Sequence, residues 1–341
     1  MTRRHSGVML GILFLMFLVF PAEHAAAYSF TNVDYPGALW TTAFKINDSG
    51  QVVGQYADTS GTRHGFLLSA GTYTTIDCPS PYTAGSGAFG INNLGDIVGG
   101  CSAPGGINGF YGTSPGFVLS GGVMTLLPDP GSYGGASVQA YDINDAGQIV
   151  GLYTDPCLCG GHGFLYSGGI YTTLDIPGYI NTQAYGINNL GQIVGLTSAT
   201  FGGGDAHGFI LDGGVYTIID HPDVAAVPYN SLYEINDSGR MVGFYVDTSG
   251  VQHGYLLDSG TFTSVDHPSA QATGLTGITS QGRLTGNYAD LASVGHGFVT
   301  ALLSPQTKDD CKDGGWQNLV RANGTAFKNQ GACVSYVNTG K

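Results

Sequence analysis

HGFLYSGGIYTTLD, residues 162–175, is the stretch whose reading decides the fold. Aromatic and β-branched residues fill two short arms, and Gly168-Gly169 between them tolerates the positive φ that a two-residue hairpin turn requires. Folding the stretch about that turn pairs Ser167 with Ile170. Successive pairs outward then end with His162 opposite Asp175. The same hairpin recurs at His64–Asp77 (turn Ala70-Gly71), His207–Asp220 (Gly213-Gly214) and His253–Asp266 (Ser259-Gly260). Each copy sets a His across from an Asp.

A second marker, Ile-Asn-x-x-Gly-x-x-Val-Gly, begins at Ile46, Ile91, Ile143, Ile187 and Ile235, with a degraded version at Ile278. Its period of about 40–50 residues is that of a propeller blade. Each unit reads as four strands: one of the type AYGIN, an Asn-x-x-Gly turn, one of the type QIVGLY, then a loop and the HGF hairpin. The expectation is an all-β, six-bladed β-propeller of four-stranded blades spanning residues 28–303, with repeats starting near 43, 88, 140, 184, 232 and 275. The sixth unit has His296-Gly297-Phe298 but lacks the strand after it. That strand stands at the other end, where Tyr28 to Pro36 (YSFTNVDYP) matches Tyr73 to Pro79 (YTTIDCP). The N-terminal strand should therefore complete the last blade and close the ring, bringing Asp34 to His296 as a fifth pair. In blade 2 the register about Gly121-Gly122 puts Pro115 opposite Pro128, so His and Asp are lost together.

The blades also alternate. A charged residue precedes the Ile in blades 1, 3 and 5 (Lys45, Asp142, Glu234), and Gly precedes it in the others (Gly90, Gly186, Gly277). This is the pattern of a two-blade unit copied three times. Loop lengths divide the two faces. The turns between strands one and two and between three and four are short. Those between two and three, and between blades, are long and irregular, which is where a rigid scaffold usually carries binding.

Ahead of this array, Arg3-Arg4, the apolar run Gly7 to Phe20 and Ala25-Ala26-Ala27 have the pattern of a signal peptide over residues 1–27. The apolar run is too short for a comfortable membrane span. Export implies a secreted or periplasmic protein. Without the leader, 9 basic face 23 acidic residues, a balance that argues against nucleic acid or an anionic membrane as partner. Six Cys in the remaining chain suit an oxidising compartment. Cys311 and Cys333, within residues 304–341, look like a pair that closes a small tail. A bridge between Cys78 and Cys101 of neighbouring blades is possible, and Cys157 and Cys159 form a C-x-C in a loop.

The INxxGxIVG…HGFL…YTTIDxPG wording, recurring over roughly residues 28–303, resembles the HAF-type extracellular repeat family of bacteria. The tail, with CKDGGW, FKNQG and CVSYV, resembles a C-terminal cysteine motif found on assorted exported bacterial proteins. Neither resemblance implies an activity, a cofactor or catalytic residues.

Five copies of the His–Asp pair point to a structural fastener, because a catalytic site is usually built once. A hydrogen bond between imidazole and carboxylate would lock each hairpin end. The residues that do not repeat are the candidates for binding. His221 and His267, each following an Asp, are expected on exposed loops of blades 4 and 5. A metal site there is imaginable, since imidazole suits Zn, Cu or Ni, but strand alternation points these rings away from their neighbouring Asp side chains. Lys45, Asp142 and Glu234 are expected to approach the central channel and meet water. No nucleotide, metalloprotease or hydrolase fingerprint is present, so neither a cofactor nor a metal is expected. The residues point to a non-enzymatic binding or scaffold module that engages an extracellular carbohydrate or protein through its long-loop face. The alternative is an extracellular hydrolase or lyase acting on a polymer, using channel carboxylates or loop-face histidines.

Overall fold

The computed structural model describes residues 28–104, 114–131, 137–154, 160–200, 204–302, 311–312 and 328–339. The leader and the Cys157/Cys159 pair lie outside the described residues. The described strands form two four-stranded and two eight-stranded sheets, which divide into six antiparallel four-stranded units, the blades of a propeller, counted here from the first complete repeat. Blade 1 comprises Trp40–Ile46, Val52–Ala57, Arg63–Ser69 and Thr72–Ile76, from the axis outward. Blades 2 to 5 repeat this order, and single parallel bridges (Arg63↔Gly85, Gly161↔Asn181) tie blade 1 to 2 and blade 3 to 4. In blade 6 the outermost strand is Tyr28–Val33, which pairs antiparallel with Gly295–Leu302. Blade 1 packs against blade 6 as it does against blade 2. The first residues of the described chain therefore hold its last blade.

The central hairpin has the register that its sequence dictates, from Ser167↔Ile170 to Gly163↔Leu174. Gly168 and Gly169 sit at φ 59° and 86°, in the left-handed region that other residues rarely adopt. The ring of HGF, or Tyr255 in blade 5, is the core of every blade: Phe66, Phe117, Phe164, Phe209, Tyr255 and Phe298 are all fully buried.

Every inner strand carries a bulge at the same place, between Ala43 and Lys45 in blade 1 and at the equivalent pair in the other five. A bulge leaves one residue unpaired and bends its strand. The bend drives a carbonyl into the second strand, which explains the Gly of each Val-Gly or Thr-Gly. A Cβ on Gly54 would lie 2.1 Å from the Thr42 carbonyl oxygen, and one on Gly151 would lie 2.0 Å from that of Gln139. No side chain fits there.

Two disulfides lie among the described residues. Cys78–Cys101 joins blade 1 to blade 2, and Cys311–Cys333 secures the helix Gln330–Thr339, whose first turn is capped by Asn329 Oδ1 accepting from Ala332 N (2.8 Å). No described helix is long and apolar enough to cross a membrane.

Candidate functional site

The unpaired bulge residues are Phe44, Phe89, Tyr141, Tyr185, Tyr233 and Thr276, one per blade. The bulge breaks the strict alternation of the strand, so Lys45 faces the channel as well as Phe44. Five aromatic rings thus follow one another around the axis. Phe44–Phe89 and Tyr141–Tyr185 centroids are 5.3 and 5.0 Å apart, and Tyr185 stacks on Tyr233 at 4.5 Å. Blade 6 interrupts the arc with Thr276, whose hydroxyl donates to the Ala43 carbonyl (3.0 Å).

These residues wall a funnel of about 370 Å³ that opens toward the long-loop face, with Trp40, Thr42, Gln55, Arg63 and Gln139 completing it. The phenols of Tyr141 and Tyr185 donate to Gln139 Oε1 (3.0 Å) and Gln183 Oε1 (2.6 Å). Burial holds all three tyrosines above their ordinary titration range, Tyr233 at about 12, so they remain neutral donors.

Lys45 closes the funnel floor, with Asp142 and Glu234 beneath it. Lys45 Nζ lies 3.4 Å from Asp142 Oδ2, pairs more tightly with Glu234 Oε2, and donates to the Tyr233 carbonyl (2.8 Å). Asp142 Oδ2 also accepts from Ile187 N (3.0 Å), and Glu234 Oε1 accepts from Ile235 N (2.9 Å). The three residues were expected to line the channel as a charge cluster meeting water. The structure brings them together but buries them, each less than a tenth exposed. Burial, reinforced by the charge of Asp142 and opposed by Lys45, pushes Glu234 up to about 8. Burial also raises Asp142, against the pull of Lys45. Burial thus works against the charge of both carboxyls, and Lys45 works for it.

The alternation of blades has its physical reason here. A Cβ on Gly90 would lie 2.7 Å from Asp142 Cα, and one on Gly186 would lie 2.9 Å from Glu234 Cα. The glycine of each even blade lets the backbone of the next, charge-bearing blade come close to the axis.

Below the triad, on the short-turn face, the marker asparagines form an interblade ladder. Asn47, Asn92, Asn144, Asn188 and Asn236 each donate Nδ2–H to the carbonyl of the equivalent residue in the next blade, at 3.0–3.2 Å. Their Oδ1 atoms accept backbone N–H groups of their own turns, such as Gln51 N to Asn47 (3.0 Å). This accounts for the Asn-x-x-Gly wording as turn and ring chemistry.

At the opposite end of the blades lie the five His–Asp pairs. Nδ1–carboxylate distances are 2.7 Å (His64–Asp77), 2.9 Å (His162–Asp175), 2.7 Å (His207–Asp220), 2.8 Å (His253–Asp266) and 3.0 Å (His296–Asp34). Several imidazoles also stack on a second-strand tyrosine, as His162 does on Tyr153 (5.0 Å).

His221 and His267 are not on exposed loops. They are 3% and 8% exposed and stack face to face on Tyr245 (3.7 Å) and Tyr288 (3.8 Å) of the following blade. Each Nδ1 accepts a backbone N–H, from Asp223 (3.2 Å) and Ser269 (3.3 Å). Burial and the nearby His296 lower the titration of His267, so its ring is a neutral plate. Tyr35 occupies the same position and stacks on Tyr56 at 3.6 Å, and the Cys78–Cys101 disulfide fills the same slot between blades 1 and 2. The slot joins blades. Among the described residues no cluster of three His, Cys, Asp or Glu side chains could hold a metal.

No family model and no curated protein matches the chain in sequence. Solved structures resemble it in fold. AofleA from Arthrobotrys oligospora is 11% identical, with 80% of this chain and 86% of that one covered and a TM-score of 0.50. A fungal lectin from Aleuria aurantia, described as a six-bladed β-propeller, is 11% identical over 77% of this chain and 93% of that one, TM-score 0.48. A protein of unknown function from Dyadobacter fermentans is 11% identical over 80% and 99%, TM-score 0.45.

Proposed function

We propose that the protein is an exported, non-enzymatic binding module of the HAF-repeat type whose axial funnel takes a carbohydrate. The observation that carries this reading is the arc of five aromatic bulge residues above a sealed floor. Aromatic faces stack on the apolar faces of sugar rings, while Gln55, Gln139 and the tyrosine hydroxyls offer hydrogen bonds to sugar hydroxyls. The leader pattern and the two disulfides support export.

The convergence of Asp142 and Glu234 is what a glycosidase reading would build on. Against it, both carboxylates are occupied by Lys45 and backbone N–H groups and lie beneath the floor. Glycan-array binding and polymer-turnover assays on the chain without its leader separate the two. The expected result is binding without turnover, with binding lost in Tyr185→Ala and Trp40→Ala and kept in Glu234→Gln. Turnover that Glu234→Gln abolishes would replace this reading with the hydrolase.

A further inference from the structure

The axial channel is cut in two. The funnel on the long-loop face and the smaller basin on the short-turn face have no lining residue in common. Between them lie Lys45 and its buried ion pairs with Asp142 and Glu234. The funnel wall draws on all six blades, from Phe44 in blade 1 to Thr276 in blade 6. From Phe44 to Tyr233 the rings of successive blades follow one another at 4.5–5.8 Å, so the wall is continuous along that arc. Thr276 joins it back to blade 1 through the Ala43 carbonyl.

A polymer bound along its length needs a way in and a way out. Here both would be the same mouth, and the strand would have to turn back within about 370 Å³. That volume is at the lower end of the roughly 300–1,000 Å³ of ligand pockets. It suits a terminal sugar ring and excludes a through-going strand. A reducing end is the poorer fit, because it equilibrates between two anomers and an open form, and in a glycoconjugate it is tied up in the linkage. The non-reducing terminus presents one ring form.

One polar group on the wall lacks a donor. Gln55 is 6% exposed, and its Nε2 donates to the Ser86 carbonyl of blade 2 (2.9 Å). A carbonyl can only accept, so the amide cannot turn over, and Oε1 is left without a donor among the described residues. A nearly buried acceptor without a partner is costly, and a ligand hydroxyl is a group that satisfies it. At this position blades 2 to 6 have Gly100, Leu152, Leu196, Phe244 and Asn287, so the glutamine belongs to blade 1 alone. From these features we infer that the funnel is a blind socket for the non-reducing end of a glycan, whose terminal pyranose places one hydroxyl on Gln55 Oε1. The inference rests on the carbohydrate reading above and adds which part of the glycan is recognised.

An array of linear glycans tethered by their reducing ends tests it, each printed as it is and again with its free end extended by one residue. The folded, leader-free chain should bind glycans that share a terminal residue, and extension should weaken each roughly tenfold or more. Calorimetry with the soluble form of a bound glycan then probes the contact, which Gln55→Met should weaken about fivefold. Among versions of that glycan lacking one hydroxyl of the terminal ring, one should bind the wild type and Gln55→Met equally. A merely structural glutamine would not produce that match, and a Gln55→Met loss equal for every deoxy sugar would overturn the assigned contact. Binding that survives extension, or that follows an internal sequence, would overturn the inference and leave the carbohydrate reading standing. Failure of the folded wild type to bind any of these glycans, tethered or in solution, would remove both.

Discussion

The hub and the rim of this propeller use the same two kinds of group, a nitrogen base and a carboxylate, to opposite ends. At the rim, five imidazole–carboxylate pairs recur, each a quarter or so exposed on the His and more on the Asp. At the hub, one ammonium and two carboxylates meet once, with side-chain exposures of 5%, 5% and 11%. Water screens the rim pairs and shares their hydrogen bonds, so each is worth little and the set is redundant. The hub has no such buffer: each of its charges depends on the other two. Copy number and burial, rather than chemical type, decide how much one residue matters here.

Removing the hub cation gives the largest expected effect. Lys45→Met should leave two facing carboxyls without their partner and destabilise the chain by about 3–5 kcal/mol, read from denaturant midpoints. A loss no larger than that of a rim His→Ala would erase the distinction between the regions. Between hub and rim lie the interblade slots, and the covalent one comes next. Cys78→Ser with Cys101→Ser opens a link spanning 23 residues and should cost about 3 kcal/mol while leaving glycan binding intact.

The pH dependence separates the regions in another way. Glu234 titrates at about 8 in the folded chain against 4.5 ordinarily, so between those values the folded chain holds a proton that the unfolded chain releases. Stability should fall as pH rises through that window, by up to about 1.4 kcal/mol per unit, and Glu234→Gln should flatten the slope. At the rim, burial works to lower His253, but its bonds and charge contacts with Asp266 and Asp247 outweigh that and raise it above 6.5. Its contribution is complete below 6.5 and fades as pH climbs through the raised value. Both regions therefore weaken as pH rises, the hub from a lower pH. An unchanged slope in Glu234→Gln would contradict a raised Glu234 at the hub.

What the sequence disclosed follows from where periodicity reaches. Blade count, the pairing of Ser167 with Ile170 and the strand Tyr28–Val33 at the far edge of blade 6 all depend on backbone pairing that repeats every blade. The bulge at Phe44 and its equivalents does not show in an alternation pattern, because it breaks alternation by one residue. The aromatic before Lys45, Gly90, Asp142, Gly186 and Glu234 is visible in the sequence, but strict period two would turn it away from the channel. The slot histidines were missed for a related reason. Alternation turned His221 away from Asp220 correctly, yet what it meets, Tyr245, lies in the next blade. His221→Ala should therefore cost about 1–2 kcal/mol, and His221→Tyr, copying Tyr35 on Tyr56, should restore most of it. A site that required the imidazole itself would not be rescued by tyrosine.

The smallest effect is the sharpest test of the rim. His162 Nδ1 donates to a carboxylate that is about half exposed, so the bond competes with water on both partners. Stacking of His162 on Tyr153 is independent of Asp175, and it is lost only when the ring goes. His162→Ala should accordingly cost more than Asp175→Ala, and a double-mutant cycle should show a coupling of roughly 0.5–1 kcal/mol. Strictly additive losses would mean that the tyrosine, and not the carboxylate, holds the imidazole at the hairpin end. A coupling as large as the hub's would mean instead that the pair is shielded from water despite its exposure. Blade 2 indicates which outcome to expect, because it keeps the same hairpin register with Pro115 and Pro128 in place of the pair.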